Sequence, residues 1–337
     1  MTRKFRALLP LLFCTSIVCA QQVSIVSSQG TPSANYSTLK ASFDAINAGT
    51  HRGIISVNIS GNITETASAV LNASGTGSSS YTLMNIHPVG VSSVSGTLAA
   101  PLIDLNGADN VTITGINSGG NSLTLQNAST SSTLGTSTVR LINGATNNTV
   151  TNCTLQGSST GTAGAATGVC VIAGGAANTG NTLSNLKVVP AGSNLPSVCI
   201  VNVNSTTSNN NLQVLDNEVY DFYSATASQA GIYLGSGSGS ATVTGNRIYQ
   251  TAPRTLSGST QTIYGIYFFY ASSRCIIADN VIGFANATGT GVTSYTATGA
   301  MYRPIIGLQR FAGAHEHCRQ HDLRDRLHIC TRTHHSL

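Results

Sequence analysis

The chain has 337 residues, of which 8% are charged and 41% hydrophobic, with 35 glycines and no tryptophan. Its formal charge of +5 sits at the two ends, because residues 21–300 hold seven Lys or Arg against eight Asp or Glu; the body therefore has no basic face for nucleic acid. One short apolar segment at the N-terminus is the only stretch suited to a bilayer, which excludes a bundle of membrane-spanning helices.

That segment runs from Ala7 to Cys19, follows Arg3, Lys4 and Arg6, and closes on Ala20 before Gln21. It reads as a cleavable signal peptide over residues 1–20, too short to span, so no membrane span is expected after its removal. Val18 stands where a lipoprotein site needs a small residue before Cys19, so soluble export is expected. Residues 21–53 are expected to form an N-terminal strand and a capping helix. Leu39, Phe43 and Ile46 fall at i, i+4 and i+7, with Ser37 as N-cap and Gly49 as the stop. His51 and His87 lie in separate segments, as structural or solvated histidines do. Strands are expected near Tyr81–Ile86 and Leu102–Leu105.

From there one pattern returns about every thirty residues. It reads VTNCTL from Val150, LSNLKV from Leu183, VLDNEV from Val214, VTGNRI from Val243 and IADNVI from Ile277. An aliphatic is followed two places on by Asn152, Asn185, Asp216, Gly245 or Asp279, and three places later by Leu155, Val188, Val219, Ile248 or Ile282. The middle residue types tolerate a left-handed backbone, so each unit is a strand bent at a tight turn. Each copy has an upstream strand: TVRLI at Thr138, GVCVI at Gly168, SVCIV at Ser197, GIYLG at Gly231 and GIYFF at Gly265. Alternation places Val139, Val169, Val198, Ile232 and Ile266 inside, with Leu141, Val171, Ile200, Leu234 and Phe268. An earlier rung shows where LNGADNVTITG from Leu105 echoes INGATNNTVTN from Ile142. At ~4.8 Å per rung, roughly seven rungs give a rod about 35 Å long, one elongated domain over residues 54–300.

The sequence GIYLGSGSGSATVTGNRIY from Gly231 resembles the right-handed parallel β-helix repeat of pectin-lyase-like proteins, over roughly residues 100–285. IISVNISGNITET from Ile54 resembles the opening of large secreted bacterial β-helix proteins. The resemblance implies an all-β fold, a single-stranded right-handed parallel β-helix whose first rung the N-terminal helix covers. It also implies an interior ladder at Asn217, Asn246 and Asn280, each amide bonding the next, although Cys153 and Leu186 occupy that slot in the two upstream rungs. The other reading of these residues is turn asparagines bonded to local backbone. Pectin-degrading members use clustered acids, sometimes with Ca²⁺ and a basic residue, but the motifs NTD, DD, GHG and RIK are missing here.

Chemistry-bearing residues in the body are few. Asp216, Glu218 and Asp221 form the one acidic cluster, candidates for paired acid and base or for a cation site; Asp216 also has a place in the turn column, as Asp109 and Asp279 have in turns. Between the inward pairs lie Arg140, Cys170, Cys199, Tyr233 and Tyr267, an expected outward stripe. In-line tyrosines stack on sugar rings or simply suit a pleated surface, and Arg140, Tyr233 and Tyr267 are the candidate binding residues. Cys170 and Cys199 on successive rungs are expected near disulfide distance in an oxidising compartment. Cys153 and Cys275 read as buried small apolar residues. No cofactor and no metal site is expected.

Residues 301–337 depart from this texture. The last 23 residues carry six of the eight histidines and two of the eight cysteines. His315, His317, Cys318, His321, His328 and Cys330 have donors that zinc uses, yet the segment has no strand or helix period. Read one nucleotide later, permitted codons for HEHCRQHDLRDRLHIC contain Ile-x-Gly-Asn-x-Ile-Tyr, the form of Val243–Tyr249. The expectation is a frame-shifted tail beginning between Arg303 and Ala314, with the next rung after Ile282 visible only in the shifted frame. A true accessory tail and a metal site are the other readings.

Two functions follow. One is a secreted or cell-surface module with a structural or adhesive role and no catalytic site. The other is a polysaccharide-binding or polysaccharide-degrading protein, a lyase or hydrolase, for which the fold alone is a weak warrant. The expected partner is a polysaccharide or a cell surface.

Overall fold

The computed structural model describes residues 21–308 and 329–330, except 226, 257–260, 270–274, 293–294 and 298–300. Residues 1–20, where a signal peptide is expected, and residues 309–328, with His315, His317, Cys318, His321 and His328, lie outside the described residues. No described helix is long and apolar enough to cross a membrane.

The aliphatic residues of the repeat stack as their spacing requires. Val150, Leu183, Val214, Val243 and Ile277 are successive neighbours in parallel register. So are Leu155, Val188, Val219, Ile248 and Ile282. These rows are two faces of a right-handed parallel β-solenoid of about 7 turns. Between them the chain turns through one residue at positive φ: Asn152 at 55°, Asn185 at 51°, Asp216 at 54°, Gly245 at 72° and Asp279 at 55°. Short amide or carboxyl side chains, or none, are what this corner admits. The third face is an eight-stranded parallel sheet: Ala69–Asn72, Pro101–Asn106, Ser137–Ile142, Cys170–Ala173, Val198–Val203, Gln229–Leu234, Thr262–Phe269 and Met301–Leu308. The echo of LNGADNVTITG in INGATNNTVTN holds over its second half, where Thr112, Ile113 and Thr114 lie beside Thr149, Val150 and Thr151; at its start Leu105 lies beside Leu141, one place short of Ile142.

The third face corrects the expected phase of two strands. Cys170 lies between Val139 and Ile200, and Val171 between Arg140 and Val201. The inward column is thus Val139, Cys170, Ile200, Ile232 and Ile266; the outward column is Arg140, Val171, Val201, Tyr233 and Tyr267. The cause is one residue per coil left out of the ladder. Pairs run from Val198–Ala230 to Ile200–Ile232, skipping Cys199 and Gly231, and from Ala230–Tyr264 to Ile232–Ile266, skipping Gly265. Alternation counted from Gly168 and Ser197 misses that gap: Val169 and Ile200 are inside as expected, but Val171 and Val198 lie outside the core and Cys170 and Cys199 lie in it.

The N-terminus closes the first coil. Val23–Gly30 runs antiparallel to both Ser33–Tyr36 and His51–Thr64, so the strand on this face begins three residues before residue 54. The helix Leu39–Asn47 buries Leu39, Phe43 and Ile46 completely. Its N-cap is Thr38, whose hydroxyl accepts from Ala41 N at 3.0 Å, and not Ser37. Glu65, 3% exposed, accepts from Leu39 N at 2.7 Å and Lys40 N at 3.2 Å, meeting two further free donors of the first turn. Burial pushes its carboxyl above the usual range. At the other end Asn47 stands in for a strand: its amide donates to Val70 O at 2.8 Å and accepts from Asn72 N at 3.0 Å.

The far end extends the solenoid past residue 300. Met301–Leu308 pairs with Thr262–Phe269, from Thr262–Met301 through Phe269–Leu308. A third-face strand of the next coil therefore follows Ile282 in the given frame, which corrects the expected boundary at 301. Proline obscured it in the sequence, yet Pro304 falls opposite Gly265, at the position both strands leave out of the ladder between Tyr264–Arg303 and Ile266–Ile305, so its missing N–H breaks no ladder pair.

Candidate functional site

The interior polar groups form the most organised array in the molecule. Asn217 donates from Nδ2 to Asn246 Oδ1 at 2.9 Å, and Asn246 from Nδ2 to Asn280 Oδ1 at 2.8 Å. Each Oδ1 also accepts a backbone N–H from the preceding coil, of Leu186, Asn217 and Asn246 in turn, all at 3.0 Å. The remaining amide protons go to Leu183 O, Val214 O and Val243 O. Two further ladders went unread in the sequence. Asn148 donates to Asn181 Oδ1 at 3.1 Å, and Asn178 to Asn209 Oδ1 at 3.1 Å. Spacing could have found the first, since Asn148 and Asn181 each stand two places before the aliphatic of their rung. Asn209 in turn donates to Asn202 Oδ1 at 2.8 Å, while Asn202 Nδ2 is buried without a partner.

Outside, the third face carries three of the five expected stripe residues, Arg140, Tyr233 and Tyr267, with Val171 and Val201 in place of the two cysteines. Arg140 makes a paired contact with Asp104, through Nε at 2.9 Å and Nη2 at 2.6 Å. Val171 and Val201 are covered together with Ala163 of the loop above them. Tyr233 and Tyr267 stack on each other with centroids 4.5 Å apart and planes at 10°, and Tyr264 leans on Tyr267 at 4.8 Å. Tyr267 is 9% exposed, so this pair turns its faces to itself more than to a sugar. Cys170 and Cys199 are free and buried. Cys170 stands beside Ile200, one residue past Cys199, so the two thiols are not stacked in one column and the expected disulfide is not formed. Burial pushes the Cys170 thiol up to about 12, which makes it unreactive. Cys153 and Cys275 are buried as expected.

The acidic trio does not converge. Asp216 turns the corner. Glu218 faces outward on the second face, where its Oε1 accepts from Tyr249 OH at 2.9 Å and Oε2 lies 3.4 Å from Lys187 Nζ. Arg247 is its neighbour in the next coil, and Tyr220 and Tyr249 stack alongside at 4.8 Å. Asp221 sits in the following loop, accepts from Thr251 N at 2.8 Å and pairs with Arg254. Arg254 Nε donates to Gln250 Oε1 at 2.8 Å. Among the described residues no three His, Cys, Asp or Glu come together as a metal site.

An open groove of about 750 Å³ follows the loops that leave the second face. It passes Thr130, Thr160, Asn194, Tyr223 and Arg254, which come from successive coils. Hydroxyl-bearing side chains share its walls about equally with apolar surface that includes Leu195, Ala227 and Pro253; Tyr223 OH donates to Thr255 O, and Arg254, the charged side chain among its described walls, pairs with Asp221. Comparison with protein-family models, curated proteins and solved structures returned no match to this chain.

Proposed function

We propose that this chain is an exported, non-catalytic solenoid module that works as a rigid structural or adhesive element at a cell surface or outside the cell. One observation carries the reading: among the described residues, most of the acidic side chains that chemistry would need are already tied into the scaffold, and Asp216 occupies the corner at positive φ. Asp104 is held by Arg140, Glu218 by Tyr249 and Lys187, Asp221 by Thr251 and Arg254, and Glu65 by the helix N-terminus. A general acid or base must instead be free to reach a substrate proton. The basic, apolar N-terminal segment supports export, and the repeat's likeness to secreted pectin-lyase-like β-helices agrees with it.

A second reading, polysaccharide binding without cleavage, is favoured by the hydroxyl-lined groove, whose length along several coils suits a chain of sugars. One experiment separates the readings. The purified chain is incubated with uronic-acid and neutral glycans, and both bond cleavage and binding are measured. No cleavage is expected with any of them. Turnover that disappears in Glu218→Gln or Asp221→Asn would overturn the proposal. Glycan binding lost in Tyr223→Ala and kept in Tyr267→Ala would move the reading to the groove.

A further inference from the structure

Among the described stacked tyrosines, Tyr249 has its phenol on a carboxylate. It is 7% exposed, and its OH donates to Glu218 Oε1 at 2.9 Å. Lys187 stands on the other side of that carboxylate, 3.4 Å from Oε2. Tyr220 is the register partner of Tyr249 one coil earlier, and the rings stack with centroids 4.8 Å apart and planes at 15°. Glu218 and Tyr220, two residues apart on one strand, share its outer side. Tyr220 is half-buried, so it opens to solvent the stack that Tyr249 closes. Burial pushes the Tyr249 phenol above its ordinary range, so it does not ionise unaided near neutral pH. To give up an electron it must also give up its proton, and a base within hydrogen-bond reach already holds that proton.

We infer that Tyr220, Tyr249 and Glu218 form an oxidation site at which a one-electron oxidant, a peroxidase with hydrogen peroxide, joins two consecutive coils through a dityrosine bond. Tyr249 gives one electron to the oxidant and its phenolic proton to Glu218; Tyr220 gives one electron to the oxidant and its proton to water. The stacked rings present their ortho carbons to each other one rung apart, and a splay of the half-buried Tyr220 ring closes the remaining distance. The two phenoxyl radicals pair their electrons in a bond between those carbons. Each displaced ortho hydrogen passes as a proton, through water, to the oxygen of its own ring, restoring two phenols, and Glu218 returns its proton to solvent. The product has lost two hydrogen atoms, and one hydrogen peroxide has become two waters. A second stack supplies the contrast. Tyr233 and Tyr267 lie as close, at 4.5 Å and 10°, but there the Tyr233 phenol bonds the Tyr267 phenol, a weaker base than a carboxylate.

The test treats the full chain with a peroxidase and hydrogen peroxide, isolates the monomer band on a denaturing gel, and follows tryptic peptides by mass spectrometry over time. Cleavage after Arg247 separates the two tyrosines, so the bond joins two peptides with the loss of two hydrogens. A Tyr220–Tyr249 crosslink is expected, formed at least about tenfold faster than any between Tyr233 and Tyr267. It should vanish in Tyr220→Phe, and its rate should fall about tenfold in Glu218→Gln, which keeps an acceptor without the base. No Tyr220–Tyr249 product in the monomer, equal rates at the two stacks, or a rate that Glu218→Gln leaves unchanged overturns the inference.

Discussion

Replacing Asn246 with leucine is expected to destabilise the chain by about 3–5 kcal/mol, although leucine is apolar and close in size. Asn246 is fully buried and sits at the centre of the ladder. Its loss strands the backbone N–H and an amide proton of Asn217, removes the side-chain donor to Val214 O, and takes one of the two donors from Asn280 Oδ1, which keeps the backbone N–H of residue 246. Each orphan costs about 1–3 kcal/mol, with the sum reduced by relaxation. Leu186 shows that leucine fits the slot by size; there the side chain of Cys153 in the coil beneath turns to Thr151 O of its own turn and makes no ladder bond. Chemical denaturation checks the size of the effect. Asn286→Ala, in an exposed loop, should stay within about 0.5 kcal/mol. In a solenoid each coil touches only its neighbours, so the loosening should centre on residues 214–283.

Phe43→Ala is expected to cost about 3–5 kcal/mol and to turn a monodisperse chain into one that associates as concentration rises. Phe43 is the largest fully buried side chain of the helix that lies across the first coil, flanked by Leu39 and Ile46. Removing it loosens more than a cavity. Asn47 of the same helix bonds Val70 and Asn72, so a detached helix also bares the edge of Ala69–Asn72. Light scattering at increasing concentration, beside a thermal melt, reads both effects. Lys40→Ala on the exposed face, where the 2.6 Å pair with Asp44 is solvated, should change stability by no more than about 0.5 kcal/mol.

How much was legible depended on how strictly a residue type is forced. The corner column was readable because a positive φ admits few side chains, and Asn152, Asn185, Asp216, Gly245 and Asp279 are all of the permitted kind. The interior ladder at Asn217, Asn246 and Asn280 was readable because three amides recur in one slot. The ladders at Asn148–Asn181 and Asn178–Asn209 were hidden among many loop asparagines. The third face failed for a different reason: alternation assumes an unbroken ladder, and this one drops a residue per coil, so glycines aligned by eye put Cys170 and Cys199 outside when both are buried. The partnership of Asp104 with Arg140 was invisible because the residues are one coil apart in sequence and adjacent only once the coils stack.

The in-register parallel stack is the premise of everything above, and paired cysteines on its outer surface test it most directly. Gln213 and Thr242 are register partners on the first face, and Ile276 is the next residue in that column. One rung of ~4.8 Å lies within disulfide reach, and two rungs do not. With mild oxidant the double variant Gln213→Cys and Thr242→Cys should crosslink rapidly, while Gln213→Cys with Ile276→Cys should keep both thiols free. Cys153, Cys170, Cys199 and Cys275 are too enclosed to compete, and the chain's other four cysteines, Cys14, Cys19, Cys318 and Cys330, are replaced by serine in both variants. Free thiols in the first variant, or crosslinking in the second, would contradict the stacking of these coils.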